Sequence, residues 1–336
     1  MFFRAESFSC FISTLLLVGC ILFSSAINAA GYRTPLPTQQ VRLPGSAHDI
    51  LAINSTRCLI AAYGEGVVLA NLNRQGQANI LHTARYSKQA EALAISADHR
   101  YVYVANGSAG LDILALKPQG QMTLLGRFNT PSYAFDVALS PDNHIAYIAD
   151  NNHGVVIIDV SQPQTPRQIA HIPTRASSAG VTLSPNGQTL YIADQAHGIH
   201  LVNVRNPRQP QTISRIQTQG QAQDISLSAN GKRLFSAGNN GGLQIFSLSN
   251  PLQPKRIGQL RSQNAFAVSL SADSRTAFVA DLFSGVKVVD VSNPARPRLL
   301  RTIRTGGHPE SVSLPRGMNT AWVADGKAGI AIIQFR

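Results

Sequence analysis

The sequence predicts an all-β fold, a seven-bladed β-propeller built of four-stranded antiparallel blades. Three observations carry that expectation. One glycine recurs at Gly66, Gly110, Gly154, Gly198, Gly242, Gly285 and Gly329, in steps of 44, 44, 44, 44, 43 and 44 residues. Each interval holds four short β-type runs separated by turn-forming residues. The seventh copy stops after its third strand, and a matching outer strand stands at the other end of the chain. A period near 44 residues with four strands is the measure of a propeller blade.

Blade 3 shows how each strand is specified. "FDVALS" and "IAYIA" are split by the turn "PDN", "GVVIIDV" follows the loop "DNNH", and "RQIAHIPT" follows "SQPQTP". The first strand, short and poor in charge, is expected innermost, and the alternating, basic fourth outermost. Pro163 with Pro166, Pro207 with Pro210, Pro251 with Pro254, and Pro294 with Pro297 recur in four blades, each pair expected to hold the outward connection extended.

An open ring would leave two raw sheet edges. "QQVRLPGSAHDILAI" at 39–53 aligns without gaps on "LRTIRTGGHPESVSL" at 300–314, placing Gly45 on Gly306. The chain is therefore expected to form a single domain over 31–336, with an N-terminal strand at about 38–45 completing the blade formed by 310–336.

Residues 1–30 stand apart. Arg4 precedes the apolar run "FISTLLLVGCILF", and the small residues "SSAINAA" follow it, the pattern of a secretory signal peptide cut after Ala26, Ala29 or Ala30. "LVGC" at 17–20 also fits a lipoprotein cleavage box that would make Cys20 the lipid-bearing N-terminus, although the residues after Cys20 stay apolar where a polar tether is expected. The protein is thus expected to be exported to the periplasm, cell surface or medium. Ordinary cleavage leaves Cys58 as the lone cysteine, a small buried residue in "STRCLIAAY" that has no disulfide partner.

The net charge is +12, and it recurs in equivalent segments such as "RPRLLRTIRTGG" and "PKRIGQLRSQ". Such a basic surface suits an anionic membrane surface or a solvated rim, and export argues against nucleic acid.

The strands "VVIIDVSQP", "IHLVNVRNP", "LQIFSLSNP" and "VKVVDVSNP" resemble the LVIVD repeat, and "LSPDN" or "LSPNG" followed by "IAYIAD" or "LYIAD" resembles the wider YVTN-like set of surface-protein propeller repeats. Blades 1 and 2 depart from the pattern with "GVVLANLNRQ" and "GLDILALKPQ". The resemblance implies an exported or surface-associated bacterial or archaeal protein, with lactonase-like enzymes among the wider relatives.

In a repeat, residues at one position in many blades are structural, and those that break the rule are functional candidates. Asp150, Asp194, Asp281 and Asp325, with Asn106 and Gly238 in equivalent places, open the loop before the glycine and read as turn chemistry. Where the chain enters each inner strand, the fourth residue before Ile53, Ile95, Leu139, Leu183, Leu227, Leu270 and Leu314 is Asp49, Glu91, Phe135, Ala179, Gln223, Phe266 and Glu310, and the third before adds Asp136 and Asp224. Strand polarity puts these positions on the face of the loops between second and third strands. Five carboxylates, Asp49, Glu91, Asp136, Asp224 and Glu310, are expected to ring one channel mouth, with His48 and His308 beside them and His153 and His197 in loops of the same face. The ion such a ring would take is a divalent cation such as calcium; a cationic or carbohydrate ligand is the alternative.

No GxSxG elbow, HExxH helix, P-loop or GxGxxG after a strand is present, and Trp322 is the only tryptophan. The reading that follows is an exported, non-catalytic and monomeric propeller acting as a platform for an envelope protein or glycan, with no resident cofactor. Its rival is a metal-dependent, lactonase-like hydrolase using the acidic mouth. A third is adhesion to anionic lipid through arginine-rich outer strands.

Overall fold

The computed structural model describes residues 39–72 and 77–335. The expected signal peptide, its cleavage sites and Cys20 lie outside these residues. Among the described residues, 28 strands form seven four-stranded antiparallel sheets, and each sheet follows chain order except the last. Blade 3 consists of Asp136–Leu139, Ile145–Ala149, Val155–Asp159 and Arg167–Ile172, the four runs read from the sequence.

The second and third strands are almost wholly buried, as in "VVIID", because each blade is covered on both faces by its neighbours. Seven apolar cores result, each drawn from two adjacent blades. Tyr103 and Ile113 of blade 2 meet Ile148 and Ile158 of blade 3, for example, and burial of each such side chain stabilises by about 1.5–3 kcal/mol. First strands of neighbouring blades touch all the way round, so the ring is closed.

The repeated glycine has a steric cause. Gly154 has φ of 91°, and a Cβ there would strike the carbonyl of Ile172 on the outer strand of its own blade. In blade 7 the equivalent Gly329 presses against the carbonyl of Val41, and Val41 belongs to the N-terminal strand.

That strand, β1 (Gln39–Val41), pairs antiparallel with the C-terminal strand, Gln39 opposite Ile332 and Val41 opposite Ile330. It completes the sheet as expected, but one residue out of the gapless alignment. Val41 takes the place held in blade 6 by Ile303, which lies opposite Val286, so Gly45 corresponds to Gly307 and Asp49 to Ser311. The cause is local: the first turn of blade 1 is one residue short, with Ala52 opposite Cys58 where blade 3 pairs Leu139 with Ala146. Ile53 is already in that turn, its N–H donating to Arg57 O at 2.9 Å. The seam is reinforced by backbone bonds between Ala47 and Gly326, and by Gln40 Nε2 donating to Asp325 Oδ2 at 2.9 Å.

The proline-bearing connections are tight turns instead of extended segments, closed in blade 3 by Thr165 N–H donating to Gln162 O at 2.9 Å. Three of the four lie over the outer strand of the preceding blade, which carries a small residue there: Gly126 faces Pro163, Gly258 faces Pro294, and Ser214 Oγ donates to Pro251 O.

Candidate binding site at the channel mouth

The inner strands bring two successive residues from each blade to one end of the channel. With the register of blade 1 corrected, the outer ring reads His48, Glu91, Phe135, Ala179, Gln223, Phe266 and Glu310. The ring beneath it reads Asp49, Ala92, Asp136, Gly180, Asp224, Ala267 and Ser311. All fourteen, with Gln195, line one cavity of about 230 Å³. Five expected carboxylates are therefore together, but Asp49 stands with Asp136 and Asp224 in the lower ring, and His48 takes the outer place.

The lower aspartates share one arrangement. Asp136 accepts from its neighbour's N–H, Val137, through Oδ1 and from Val181 N–H of the next blade through Oδ2, both at 2.8 Å. Asp224 does the same with Ile225 at 2.7 Å and Val268 at 2.8 Å. Asp49 accepts from Ile50 and Leu93, and also from Ser311 Oγ of blade 7 at 2.6 Å. Blades 1, 3 and 5 are thereby fastened to blades 2, 4 and 6. Burial raises all three carboxyls, Asp136 to about 6 and Asp224 to about 7; the amide bonds oppose it throughout, joined at Asp49 by the Ser311 hydroxyl, and repulsion from other aspartates adds to it at Asp136 and Asp224.

The outer ring is organised around His48. Its Nδ1 lies 2.7 Å from Glu91 Oε2 and 3.9 Å from Glu310 Oε2, joining blades 1, 2 and 7. Burial lowers the His48 pKa, but the bond to Glu91 and the fields of both glutamates outweigh it and leave the net value raised. Burial drives Glu310 to about 7, with His48 opposing and Glu91 and Asp325 reinforcing. The His48 ring stacks on Tyr63 at 5.0 Å, and Tyr133 Oη donates to Glu91 Oε1. Phe135 and Phe266 supply apolar wall, Gln195 donates to Gln223 at 2.9 Å, and Phe283, 72% exposed, stands nearby edge-on to His308.

Tyr133 and Gln195 were not singled out from the sequence. Their role depends on contacts with adjacent blades, Tyr133 with Glu91 42 residues earlier and Gln195 with Gln223 28 residues later. The structure does not bring His153 or His197 to the cavity. His153 stacks on His171 of its own blade at 4.1 Å, and His197 Nδ1 lies 3.4 Å from Asp194. Among the described residues, no group of three or more His, Cys, Asp or Glu is placed to hold a metal ion. Both oxygens of each lower aspartate accept a backbone N–H.

The loop aspartates clamp the segment that leads into their own blade. Asp150 accepts from Thr130 Oγ1 at 2.6 Å and Ser132 N–H at 2.9 Å, and Asp325 from Gly307 N–H at 2.8 Å. Cys58 is buried, and burial pushes its thiol well above the ordinary range.

Comparison with known proteins gives the same architecture. The LVIVD repeat family matches residues 89–130, 131–171 and 267–305, and so includes blade 2, whose third strand had read as a departure. Hydrazine synthase of Kuenenia stuttgartiensis is 14% identical, with TM-score 0.72 over 88% of this chain and 98% of its own. The Cps50 (Swd1) β-propeller domain of Myceliophteria thermophila is 15% identical, with TM-score 0.74 over 89% and 99%. A provisionally assigned 6-phosphogluconolactonase of Bacteroides uniformis is 17% identical, with TM-score 0.73 over 84% and 92%. At these identities the likeness is one of fold. No curated protein matches in sequence. The chain thus carries LVIVD repeats within a closed seven-bladed β-propeller.

Proposed function

We propose that the protein is an exported, non-catalytic propeller that binds a protein or glycan of the bacterial envelope through the face carrying the channel mouth. The observation that carries this reading is the division of labour in the mouth. The aspartates are engaged by backbone, while Glu91, His48 and Glu310 face a cavity walled by Phe135 and Phe266. Carboxylates beside aromatic rings suit hydroxyl-rich or cationic groups, and exposed Phe283 extends the apolar surface outward. Rigid blades carrying variable loops suit recognition.

A photo-crosslinker placed at residue 283 tests it in envelope extracts, with residue 252, an exposed position in a connection between third and fourth strands, as control. A discrete adduct from 283 that is absent at 252, and is lost with Glu91→Gln and Glu310→Gln, is the expected result. Equal adducts from both positions would contradict a mouth-directed partner. N-terminal sequencing of fractionated protein tests export, with a start at or near Gly31 expected.

One observation favours hydrolysis as a second reading: Glu310, held near neutrality beside His48, has the protonation behaviour of a general acid or base. Lactone hydrolysis by purified protein with added calcium, abolished in Glu310→Gln, would establish that reading over the platform.

A further inference from the structure

The face opposite the mouth carries the turns between first and second strands and the connections between third and fourth. On it, the grooves between blades are not equivalent. The connection of blade 2 folds back as a turn, with Lys117 N–H donating to Gln121 O at 2.9 Å and Gly120 N–H to Lys117 O at 2.8 Å. Gly120 sits against Leu69 of blade 1. The outer strand of blade 1 presents His82, bonded to Met122 O at 3.3 Å, where other blades place a small residue beneath prolines. A groove of about 620 Å³ opens between blades 1 and 2, against about 470 Å³ for the equivalent groove between blades 3 and 4, which Pro207 lines.

The chemistry differs more than the volume. Arg57, Arg100 and Lys117 line the first groove; Ile145, Gln188 and Arg205 line the second at similar positions along the blades. Arg57 is half-buried, and its guanidinium has no hydrogen-bond acceptor among the described residues. Arg100 lies over the Tyr101 ring at 5.5 Å. The one carboxylate present, Asp98, accepts from Ser96 Oγ at 2.6 Å and Arg100 N–H at 3.1 Å, and its Oδ2 lies 4.0 Å from Arg100 Nε, so the three cations exceed the acid by two charges. Ile53, Leu69, Leu116 and Leu125 supply apolar lining.

We propose that this groove binds a phosphate-headed lipid, with Arg57, Arg100 and Lys117 around the phosphate and the start of the acyl chain against Leu116, Leu125 and Ile53. Three cations against one satisfied acid select an anion, and the apolar lining selects one that carries hydrocarbon. The site is separate from the mouth and does not depend on what binds there.

The test titrates the mature protein with dihexanoyl phosphatidic acid, dihexanoyl phosphatidylcholine and inorganic phosphate below micellar concentration, read by calorimetry. Saturable binding of the phosphatidic acid, at least tenfold tighter than either comparator, is expected. Arg57→Gln with Arg100→Gln and Lys117→Gln should weaken it tenfold or more, while Lys232→Gln with Lys255→Gln and Arg296→Gln changes it less than twofold. If the first triple variant melts early, Lys117→Gln alone, expected to weaken binding at least threefold, carries the test. No saturable binding, inorganic phosphate binding as tightly as the lipid, or equal loss in both triple variants would overturn the proposal.

Discussion

Asp136 and Phe135 are neighbours in the chain and both line the channel mouth, yet they belong to rings with different work. The lower ring, with Asp49, Asp136 and Asp224, points its carboxylates at backbone amides one blade away and holds the barrel of inner strands together. The outer ring, with His48, Glu91 and Glu310, has its ionisable groups linked mainly to each other and open to the cavity. A carboxylate count alone would have treated the five acids as one site. Their partners divide them into fasteners between blades and a cluster open to the cavity.

The largest effect should come from breaking the fasteners. Asp136→Ala leaves the Val137 and Val181 amides without their acceptor, and Asp224→Ala does the same to Ile225 and Val268, so each should cost about 2 kcal/mol in urea unfolding at pH 5. Glu91→Gln with Glu310→Gln, in contrast, keeps a hydrogen-bonding side chain at both places and should cost less than either aspartate truncation at that pH.

Next in size is the pH dependence of the wild type. Asp136, Asp224 and Glu310 have folded pKa values of about 6, 7 and 7, above those of free carboxyls, so the folded state holds these protons more tightly. Stability should therefore fall as pH rises from about 4 to about 7. His48 acts in the same direction: its raised pKa contributes stability at low pH that is lost as pH climbs through the folded value. Melting curves from pH 4.5 to 8 should show a steady decline, flattened in Asp224→Asn. A rise over that interval would contradict the assigned environments.

A finer test separates the rings by nuclear magnetic resonance. Glu91→Gln with Glu310→Gln should lower the His48 pKa, because burial then acts unopposed, while Asp224→Asn should leave it nearly unchanged. The smallest effects are expected at His153→Ala and His197→Ala, which line no part of the cavity and should alter neither the His48 titration nor binding at the mouth.

The ring architecture was legible because a glycine forced by a steric collision repeats in every blade and fixes the period. The mouth was legible as a set of acids, since carboxylates on inner strands break the apolar pattern. The one-residue error at blade 1 arose because Ile53 looks like the strand's last apolar residue although it begins a shortened turn, and because consecutive glycines, Gly306 and Gly307, accept either alignment. The roles of the aspartates were hidden for a different reason. Their acceptor bonds reach Leu93, Val181 and Val268, 44 or 45 residues away, and become visible only when neighbouring blades are set side by side.

The claim that the lower aspartates fasten blades, and do not ligate an ion, is tested most directly by metal content after dialysis against millimolar calcium, in wild type and in Asp136→Ala with Asp224→Ala. Calcium far below one per chain is expected in both proteins, with the double variant distinguished only by its lower melting temperature. One calcium per wild-type chain, lost in the double variant, would contradict it and make the acidic mouth a metal centre.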